Sequence, residues 1–442
     1  MGLATPKTIE KLQATLHAKA KSAPDFRFYS LYDKIYREDV LTFAYRTAKS
    51  NRGMPGVDGQ TFGKIESYGA ERWLGELAEE LKSKRYCPQA VRRVLIPKSG
   101  QPGRTRPLGI PTIRDRVAQT AAMLVLEPIF EADLPPEQHA YRADHSALDA
   151  VRQTCYWVDR RHDDVVDADL SGYFDTIPHT ELLKSVSRRV CDGPMLHLIR
   201  MWLTMPVEET DRRGRVRRTT VNRDTGRGTP QGAPISPLFS NVYMRRFLVG
   251  WKTLGYQERL QARVINYADD LVICCRGTGS EALQAMRQMM CALRLTVNEA
   301  KTSVCLARSE PFNFLGYTIG QYRSRTTGRA YIGTLPSRKS VSSICRKITD
   351  LTSRRTLWKS FPDLVSASNR MLVGWANYFS MGAVDRVYRR IDQHVRYRLR
   401  RWLRQKHKVR TSVYRRWPAA FFERVGLVNL VERRRGLSCA TA

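Results

Sequence analysis

Arg263-Val-Ile-Asn-Tyr-Ala-Asp-Asp-Leu-Val-Ile-Cys-Cys275 is the stretch that decides the fold of this 442-residue chain. Two short apolar runs flank Ala-Asp-Asp, a pattern typical of a β-hairpin that carries its acidic residues at the turn. Asp-Asp on its own is an ordinary turn dipeptide, because short polar side chains suit turns. The hairpin therefore becomes informative only together with the rest of the chain.

A second acidic strand end lies about 100 residues upstream, in Val165-Val-Asp-Ala-Asp-Leu170. Strands and helices alternate around both stretches in a mixed order, so we predict a layered α+β fold. Phosphoryl transfer from a nucleotide needs two divalent metals about 4 Å apart, which activate a 3′-hydroxyl and neutralise the phosphorus. Mg²⁺ takes one or two carboxylates and fills its other positions with water and phosphate. Asp169, Asp269 and Asp270 are therefore our candidate catalytic and metal-binding residues.

The overall charge indicates a polyanionic partner. Lys and Arg total 75 against 42 acidic residues, giving a net charge of +33. A solubilising surface intersperses both signs, so this excess favours nucleic acid. No apolar run is long enough to cross a bilayer, and we expect no membrane role. The nine cysteines include no C-x-x-C pair, which favours a reducing cytoplasm over disulfides or a thiolate zinc site.

Four ordered motifs resemble those of reverse transcriptases. Tyr267-Ala-Asp-Asp270 is similar to the family signature, and Asp169-Leu-Ser-Gly-Tyr-Phe-Asp-Thr-Ile177 is similar to its first catalytic motif. Gly228-Thr-Pro-Gln-Gly-Ala-Pro-Ile-Ser-Pro237 lies between them, and Phe312-Asn-Phe-Leu-Gly-Tyr317 follows as the primer-grip strand does. The resemblance implies a right-hand polymerase with fingers and palm. It also implies two Mg²⁺ ions, with Mn²⁺ as a substitute, bound by the three aspartates and the Leu170 backbone.

The same resemblance implies the nucleotide site. Arg92-Arg-Val-Leu-Ile-Pro-Lys98 and Arg104-Thr-Arg-Pro-Leu-Gly-Ile-Pro111 look like the fingers hairpin over the incoming triphosphate, with Lys98 and Arg106 as phosphate ligands. Arg92 would contact the templating or incoming base, and Gln231 would line the site. Lys301 could protonate the departing pyrophosphate, although a lysine after a helix is commonly a surface residue.

Either Tyr173 or Phe174 should lie below the sugar and exclude a 2′-hydroxyl, so that the enzyme selects deoxynucleotides. We choose Phe174 for this contact. The alternative for an aromatic residue after a strand is core packing, and the two adjacent residues can divide the two roles.

Within the superfamily, Asn51-Arg-Gly-Met-Pro-Gly-Val-Asp-Gly59 and Leu372-Val-Gly-Trp-Ala-Asn-Tyr-Phe379 look like group II intron proteins. The resemblance implies an all-α thumb, or maturase, domain after the palm. It implies as partners the intron RNA, an RNA template with its DNA primer, deoxynucleoside triphosphates and target DNA. Asn266 stands where the family most often has Arg, which leaves local salt bridging open. No His-Asn-His module with cysteine pairs is present, so we expect the endonuclease-lacking bacterial type.

Residues 386 to 410 hold eleven Lys or Arg and one acid, while Tyr388, Ile391, Val395, Leu399 and Trp402 recur at helical spacing. We predict a helix with one packed face and one face for RNA or an RNA–DNA duplex. A solvated helix is the alternative, but it would balance its charges by i,i+4 pairs. The predicted nucleic-acid contacts are Arg389, Arg390, Arg396, Tyr397, Arg398, Arg400, Arg401 and Arg404.

The predicted organisation has five parts. These are a mobile arm (1–27), an N-terminal extension with fingers (28–160), a palm with fingers-derived elements (161–334), a helical thumb/maturase domain (335–425) and a tail (426–442). We expect a cytoplasmic ribonucleoprotein, either monomer or dimer, that copies intron RNA and assists splicing and retromobility. Two alternatives remain: a domesticated relative in a defence or CRISPR-type system, and an RNA-binding splicing factor without polymerase activity.

Overall fold

The computed structural model describes residues 3–97, 103, 105–211, 213–324 and 326–440, with the side chains of all but 437–440. It is a mixed α+β structure, as predicted. Among the described residues, the helices are all too short or too polar to traverse a lipid bilayer. By packing, the chain divides into two compact units, one of Met1–Ser146, Ala168–Ile273 and Ser280–Ser303, the other of Ala147–Asp167, Cys274–Gly279 and Val304–Ala442.

The strands are β1 (Val91–Pro97), β2 (Thr105–Ile110), β3 (Asp164–Asp169), β4 (Val207–Thr210), β5 (Val216–Thr219), β6 (Arg263–Tyr267), β7 (Asp270–Cys275), β8 (Ser303–Leu306), β9 (Phe312–Phe314), β10 (Tyr317–Arg323) and β11 (Ala330–Pro336).

The helices before the hairpin of β6 and β7 are α1 (Lys7–Ser22), α2 (Tyr32–Ile35), α3 (Glu38–Ser50), α4 (Phe62–Tyr68), α5 (Ala70–Lys82), α6 (Ile113–Glu131), α7 (Ala147–Asp159), α8 (Tyr173–Thr176), α9 (His179–Ser187), α10 (Gly193–Leu203), α11 (Val221–Thr225), α12 (Ser236–Thr253) and α13 (Tyr256–Arg259). After it come α14 (Gly279–Ala292), α15 (Arg338–Leu351), a 3₁₀ turn (Arg354–Thr356), α16 (Phe361–Tyr378), α17 (Asp385–Lys406), α18 (Val413–Arg416), α19 (Ala419–Arg424) and α20 (Leu430–Ala440).

The acidic hairpin predicted from the sequence is present. Strands β6 and β7 are neighbours in a four-stranded sheet of order β6-β7-β3-β8, and only Ala268 and Asp269 connect them. The inner residues of both strands are buried, as are Met286 and Met290 on α14. Those methionines pack in the core, as expected from their position on one helical stripe.

A second four-stranded sheet, of order β2-β1-β4-β5, carries the predicted fingers hairpin. Strands β1 and β2 pair antiparallel, with Arg92 opposite Ile110 and Ile96 opposite Arg106. Strand β4 pairs with β1 in parallel, and the Arg93 guanidinium lies 3.2 Å from Glu209 across that pairing. The palm segment of the sequence therefore does contribute strands to the fingers sheet.

The mobile arm predicted for residues 1–27 is wrong, because Lys7–Ser22 forms helix α1. Its Ile9, Leu16 and Ala20 are buried, and Gln13 donates from Nε2 to the Leu124 carbonyl of α6 at 3.0 Å. The chain just after α1 is anchored by the fully buried Arg189, which donates to the carbonyl oxygens of Ala23 and Phe26. Ile9, Leu12, Leu16 and Ala20 recur at intervals of three and four residues, so the sequence did contain a helical signal that the prediction overlooked.

In the second unit, helices α15 to α20 share one core. Every residue of the predicted apolar stripe of α17 is buried in it: Tyr388, Ile391, Val395, Leu399 and Trp402. The predicted tail is part of this core too, because Leu430 is buried at the start of α20 and α20 packs on α17. The prediction of a tail separate from the helical domain is therefore wrong. The apolar pair Leu430-Val431 was the sequence feature that indicated packing.

The aromatic residues at the end of α16 join these helices to the primer-grip turn. The Tyr378 hydroxyl donates to the Leu315 carbonyl at 2.8 Å, and Phe379 is buried against Tyr317. Trp375 packs on Phe379 at 4.6 Å between ring centroids. Packing is therefore the role that the structure gives to Trp375.

Candidate active site

Asn266 holds the hairpin turn that carries Asp269 and Asp270 by side-chain hydrogen bonds. This buried side chain donates from Nδ2 to the carbonyl oxygens of Ala268 at 2.9 Å and Asp270 at 3.2 Å. Ala268 has φ of +57°, a left-handed conformation that a residue with a side chain adopts at a cost. The amide of Asn266 thus holds the turn by hydrogen bonds.

Backbone hydrogen bonds bring Asp169 to this turn. Leu170 N–H donates to the Asp269 carbonyl at 3.3 Å, which ties the end of β3 to the hairpin. On the other side, the Asn298 N–H donates to the Asp169 carbonyl at 2.8 Å. These backbone bonds place the end of β3 beside the hairpin turn, although the two elements are far apart in the sequence.

The charges at this point are unbalanced. Burial and the negative charges of Asp269 and Asp169 together raise the pKa of Asp270 to about 6, while Lys301 opposes the rise. Lys301 places Nζ 2.7 Å from Asp169 Oδ2, and Asn298 donates from Nδ2 to the same oxygen at 2.9 Å. Sequence reasoning missed Asn298, although it lies in the segment that ends with Lys301.

The donor set fits hard divalent cations. Among the described residues, no three His, Cys, Asp or Glu side chains form a ready-made metal cage. Three carboxylates that share one half-buried site still match an ion that takes few protein ligands and keeps water and phosphate oxygens. Burial and carboxylate repulsion both raise the pKa of Asp270, and a bound cation would relieve the repulsion.

Gln231 connects the loop after α11 to the fingers sheet. Its Oε1 accepts from Arg106 Nε at 3.3 Å, and its Nε2 donates to Asp175 Oδ2 at 3.1 Å. Burial raises the pKa of Asp175, while Arg93 and Arg106 oppose that rise. Asp175 belongs to the first catalytic motif, but sequence reasoning gave it no role. Its signal was its position at the end of that motif.

Two glycines allow the fingers sheet and this loop to touch. Gly109 N–H donates to the Gln231 carbonyl at 2.6 Å. Gly232 has φ of +103°, and a Cβ there would lie 2.4 Å from the Gly109 carbonyl oxygen. The Pro-Gln-Gly sequence therefore needs its glycine for a close backbone approach.

The structure gives fewer contacts for the other basic residues that were predicted at the nucleotide site. Lys98 lies outside the described residues, as does Arg104. Arg92 is partly buried, and its Nε and Nη2 have no hydrogen-bond partner in the part of the chain that the structure describes. A buried guanidinium with unsatisfied donors is suited to an acceptor that arrives with a ligand.

The two aromatic residues after Asp169 differ in role. Tyr173 is buried and donates its hydroxyl to the Ser240 carbonyl at 2.7 Å, so its prediction as a nucleotide contact is wrong. Burial also raises the pKa of this hydroxyl. Phe174 packs edge-on against Tyr141, with 6.3 Å between ring centroids. Tyr141 was missed by sequence reasoning.

Tyr141 is a strained residue in a firmly held segment. It has φ of +56°, and its side chain is 48% exposed. Partial burial raises the pKa of its hydroxyl, and the charge of Asp269 adds to this. On one side Asn241 donates to the Ala140 carbonyl at 2.7 Å, and on the other the Arg142 guanidinium lies 2.6 Å from Glu131. Such strain persists where neighbouring contacts impose it, and it clusters at functional sites.

Comparison with known proteins identifies the family. Residues 96–319 match the model of the reverse transcriptase (RNA-dependent DNA polymerase) family, which is more than half of the chain. The chain belongs to the reverse transcriptase family. Residues 341–419 match the group II intron maturase-specific domain, so this is a reverse transcriptase of the group II intron type.

Relatives with curated names agree with this assignment. The reverse transcriptase is 31% identical to Protein YkfC of Escherichia coli K12, over 83% of this chain and all of that protein. It is 26% identical to the group II intron-encoded protein LtrA of Lactococcus lactis subsp. cremoris, over 69% of this chain and 58% of LtrA. The chain thus spans all of one relative and little more than half of the other.

The matches support three statements about this reverse transcriptase. It is an RNA-directed DNA polymerase, as the sequence motifs indicated. Enzymes of its family use divalent metal ions. Its maturase-specific domain is of the kind that binds intron RNA.

The predicted nucleic-acid face of α17 divides into two groups in this reverse transcriptase. Arg398 donates from Nε to Thr352 Oγ1 at 3.0 Å and caps the end of α15. Arg400 donates to the Trp417 carbonyl at 2.8 Å and lies over the Tyr414 ring. Both guanidinium groups are engaged inside the domain, so these two predictions are wrong. The exposed members of the predicted set are Arg389, Arg390, Tyr397, Arg401 and Arg404, while Arg396 is half-buried.

Proposed function

We propose that this enzyme copies intron RNA into DNA at Asp169, Asp269 and Asp270 with two Mg²⁺ ions, for which Mn²⁺ can substitute. The observation that carries the proposal is the hydrogen bond from Leu170 N–H to the Asp269 carbonyl, which joins the two acidic elements. The ions would supply activation of the primer 3′-hydroxyl and neutralisation of the transferring phosphoryl group. The backbone carbonyl of Leu170 is the additional oxygen donor that we propose beside the carboxylates.

The residues around Asp169 hold its carboxylate in place. Asn298 donates to Oδ2 from its side chain and to the main-chain carbonyl from its backbone. Lys301 balances the charge of the same oxygen from an otherwise exposed position. Bound metal ions would compensate the charge of Asp169 in place of Lys301. The proposed catalytic role of the Lys301 ammonium is to protonate the leaving pyrophosphate.

The fingers hairpin and the loop at Gln231 form the proposed triphosphate site. Arg106 and Lys98 would bind phosphate oxygens, one by a planar fork and the other as a point charge. Gln231 holds the Arg106 side chain through its amide oxygen, and Asp175 holds Gln231. Arg92 is our proposed contact to the base pair being formed, because its buried donors lack partners among the described residues.

Phe174 is the proposed contact below the sugar, with Tyr141 as its lateral support. The edge-on contact with Tyr141 limits the positions that the Phe174 ring can take. A ring held in this way would exclude a 2′-hydroxyl by contact. Tyr141 itself would face the nucleotide, because the residue is half-exposed and its hydroxyl lies within electrostatic range of Asp269 and Arg106.

The nucleic-acid partners follow from the charge of α17. We propose that its exposed Arg389, Arg390, Arg401 and Arg404, with Tyr397, bind intron RNA and the template–primer duplex, to assist splicing and retromobility at a DNA target. Neutralisation of phosphates by such residues releases counterions, so the complex should weaken steeply with salt. Arg396 would take part only after rearrangement of its half-buried side chain.

Primer extension tests the proposal most directly. Wild-type protein and Asp269→Asn are compared on an RNA template with a DNA primer, with Mg²⁺, with Mn²⁺ and with a chelator. Loss of one group that stabilises transition-state charge typically costs about a hundredfold in rate or more. We expect at least this loss in Asp269→Asn and complete dependence on the divalent ion.

Asp33→Asn is the matched control, because Asp33 is an exposed aspartate that pairs with Lys34. It should extend primers at the wild-type rate. Equal extension by wild type and Asp269→Asn would refute the assignment of the metal site. Sequencing of the RNA that co-purifies with the protein identifies the intron, and recovery of no intron RNA would contradict the maturase role.

A further inference from the structure

A basic groove with an aromatic floor lies in the second unit, between the β10–β11 hairpin and the start of α17. It encloses about 670 Å³. Four arginines line it: Arg323, Arg329, Arg386 and Arg389. The groove also contains the paired residues Tyr322 and Tyr331, which stand opposite each other in the hairpin. Its lining thus combines positive charge with aromatic rings.

Among the described residues, no carboxylate neutralises the arginines of the groove. The acid in its lining is Asp385, whose carboxylate is paired with Arg434 at 2.7 Å. In the part of the chain that the structure describes, none of the four lining guanidinium groups forms an ion pair with a carboxylate. All four of these arginines are exposed. Guanidinium groups in this condition suit phosphate oxygens.

The aromatic floor is built into the hairpin by a glycine. The Tyr322 and Tyr331 ring centroids are 6.3 Å apart. A Cβ at Gly333 would lie 2.7 Å from the Tyr331 ring and 3.2 Å from the Tyr322 ring, so both rings lie across the bare backbone of that residue. Tyr331 remains 40% exposed and presents its ring to the groove. A fixed and accessible ring is what a stacking base requires.

The two walls of the groove are held together by a second close approach. Gly382, with φ of +80°, lies so near the Thr334 carbonyl that a Cβ would be 2.0 Å from its oxygen. Arg434 donates to the Gly382 carbonyl at 2.9 Å and thereby holds the turn before α17. The groove is therefore formed before any ligand arrives.

We infer that this groove binds unpaired nucleotides of RNA, with a base stacked on Tyr331 and the flanking phosphates bound by the lining arginines. An unpaired strand fits better than a duplex, because the bases of a duplex are stacked on one another and cannot reach an aromatic ring. RNA is favoured because Arg386 and Arg389 belong to the segment that matches the maturase-specific domain. The inference deepens the RNA-binding role proposed for α17 and rests on it for the choice of RNA.

Photo-crosslinking of the full-length protein tests this site separately from the other basic surfaces. A short unstructured RNA that contains 4-thiouridine is irradiated with the protein, and the crosslinked peptides are mapped. The crosslink yield against RNA concentration gives a dissociation constant for the groove itself. We expect crosslinks in residues 317–336 that disappear in Tyr331→Ala at low RNA concentration.

Tyr331→Ala should raise this dissociation constant about tenfold, the equivalent of one lost base stack. Tyr331→Phe keeps the ring and should restore wild-type binding, which a merely destabilised hairpin would not do. The double variant Arg323→Gln/Arg329→Gln should also weaken binding and flatten its salt dependence. Its matched control, Arg354→Gln/Arg355→Gln, removes the same charge from exposed residues outside the groove and should leave the constant unchanged.

Three results would overturn the inference: crosslinks that map only elsewhere, a Tyr331→Ala protein that binds as wild type does, or equal losses in the two arginine double variants. A DNA strand of the same sequence that binds equally well would overturn the assignment to RNA. Primer extension with wild type and Asp269→Asn is scored independently. A negative result in primer extension therefore does not affect the inference about the groove. A negative crosslinking result likewise does not affect the proposal of polymerase activity.

Discussion

Lys301 Nζ lies 2.7 Å from Asp169 Oδ2, so the proposed general acid and a proposed metal ligand form an ion pair. Lys301 is still 55% exposed at its side chain. The ion pair helps to hold the Asp169 carboxylate in position beside the hairpin turn. It also means that a divalent ion must compete with an ammonium group for the same oxygen.

Lys301→Ala should therefore have two separable effects. Turnover at saturating Mg²⁺ should fall by about a hundredfold or more, the usual contribution of a general acid. The Mg²⁺ concentration for half-maximal activity should decrease, because the competing cation is gone. Both are measured by primer extension across a series of Mg²⁺ concentrations.

Lys184→Ala is the control, since Lys184 forms an exposed ion pair with Glu181 on α9. It should change neither quantity. A Lys301→Ala protein with unaltered turnover but a lower Mg²⁺ requirement would contradict the general-acid role and leave the counter-ion role.

Phe174→Val and Tyr173→Phe should separate sugar selection from core packing. Phe174→Val removes the proposed barrier below the sugar, so incorporation of ribonucleotides should increase relative to deoxynucleotides. Tyr173→Phe loses only the hydrogen bond to the Ser240 carbonyl, which should reduce stability by about 1 kcal/mol and leave selectivity unchanged. Competition between the two nucleotide types measures the first effect and thermal unfolding the second. Unchanged selectivity in Phe174→Val would exclude that position.

The different environments of Tyr173 and Phe174 show which features could be predicted from the sequence and which could not. The hairpin, its acids and the strand end at Asp169 were predictable, because their patterns are local and the motif order is fixed. The burial of Tyr173 was not, because its partner Ser240 lies on a distant helix. Tyr141 was missed for the same reason, since its contact with Phe174 and its left-handed backbone arise only in the folded chain.

The sequence pattern of α17 likewise predicted which face of the helix is buried, but not the contacts of its individual arginine side chains. The prediction of the apolar stripe of α17 is confirmed, because helical periodicity determines which face of a helix is buried. Whether a given arginine faces solvent or a carbonyl depends on the neighbouring helix, as Arg398 and Arg400 demonstrate. The apolar spacing of α1 is helical and was overlooked, whereas its packing against α6 is a contact that periodicity does not reveal.

Gly232→Ala should damage nucleotide binding more than the metal site. A side chain at φ of +103° is strained, and its Cβ would meet the Gly109 carbonyl of β2. We expect a stability loss of about 1–3 kcal/mol and a higher KM for the incoming nucleotide, because Gln231 would move away from Arg106. Steady-state kinetics and unfolding measure both. Gly63→Ala is the control, since a Cβ there meets only the Thr61 side chain, at 3.9 Å. A normal KM in Gly232→Ala would contradict the link between this loop and the fingers.

Asp392 should make the stability of the helical domain depend on pH. Burial raises the pKa of Asp392 to about 6, against hydrogen bonds from Leu430 and Val431 that oppose the rise. The folded state thus holds a proton more tightly than the unfolded chain. Stability from this group is present at low pH and is lost as pH rises through the interval from the ordinary aspartate value to about 6.

Asp392→Asn should remove that loss. The variant should be more stable than wild type near about pH 7, by at most about 3 kcal/mol for a shift of some two pKa units, and equal to wild type near about pH 4. Thermal unfolding at both values measures the difference. A variant that is less stable than wild type at the higher pH would show that the Asp392 carboxylate is needed in its charged form to cap α20.

Arg398 and Arg401 lie on the same helix and should respond in opposite ways to substitution. Arg398→Ala removes the donors to the Thr352 hydroxyl and to the Thr349 and Thr352 carbonyl groups at the end of α15, so thermal stability should fall by about 1–3 kcal/mol. Arg401 is exposed, so Arg401→Ala should leave stability unchanged. It should instead weaken RNA binding and reduce the slope of log affinity against log salt by about 1. The affinity of each protein for RNA is measured over a series of salt concentrations, beside its unfolding temperature. If Arg401→Ala kept the wild-type salt slope, the exposed face of α17 would not be the surface that contacts phosphate.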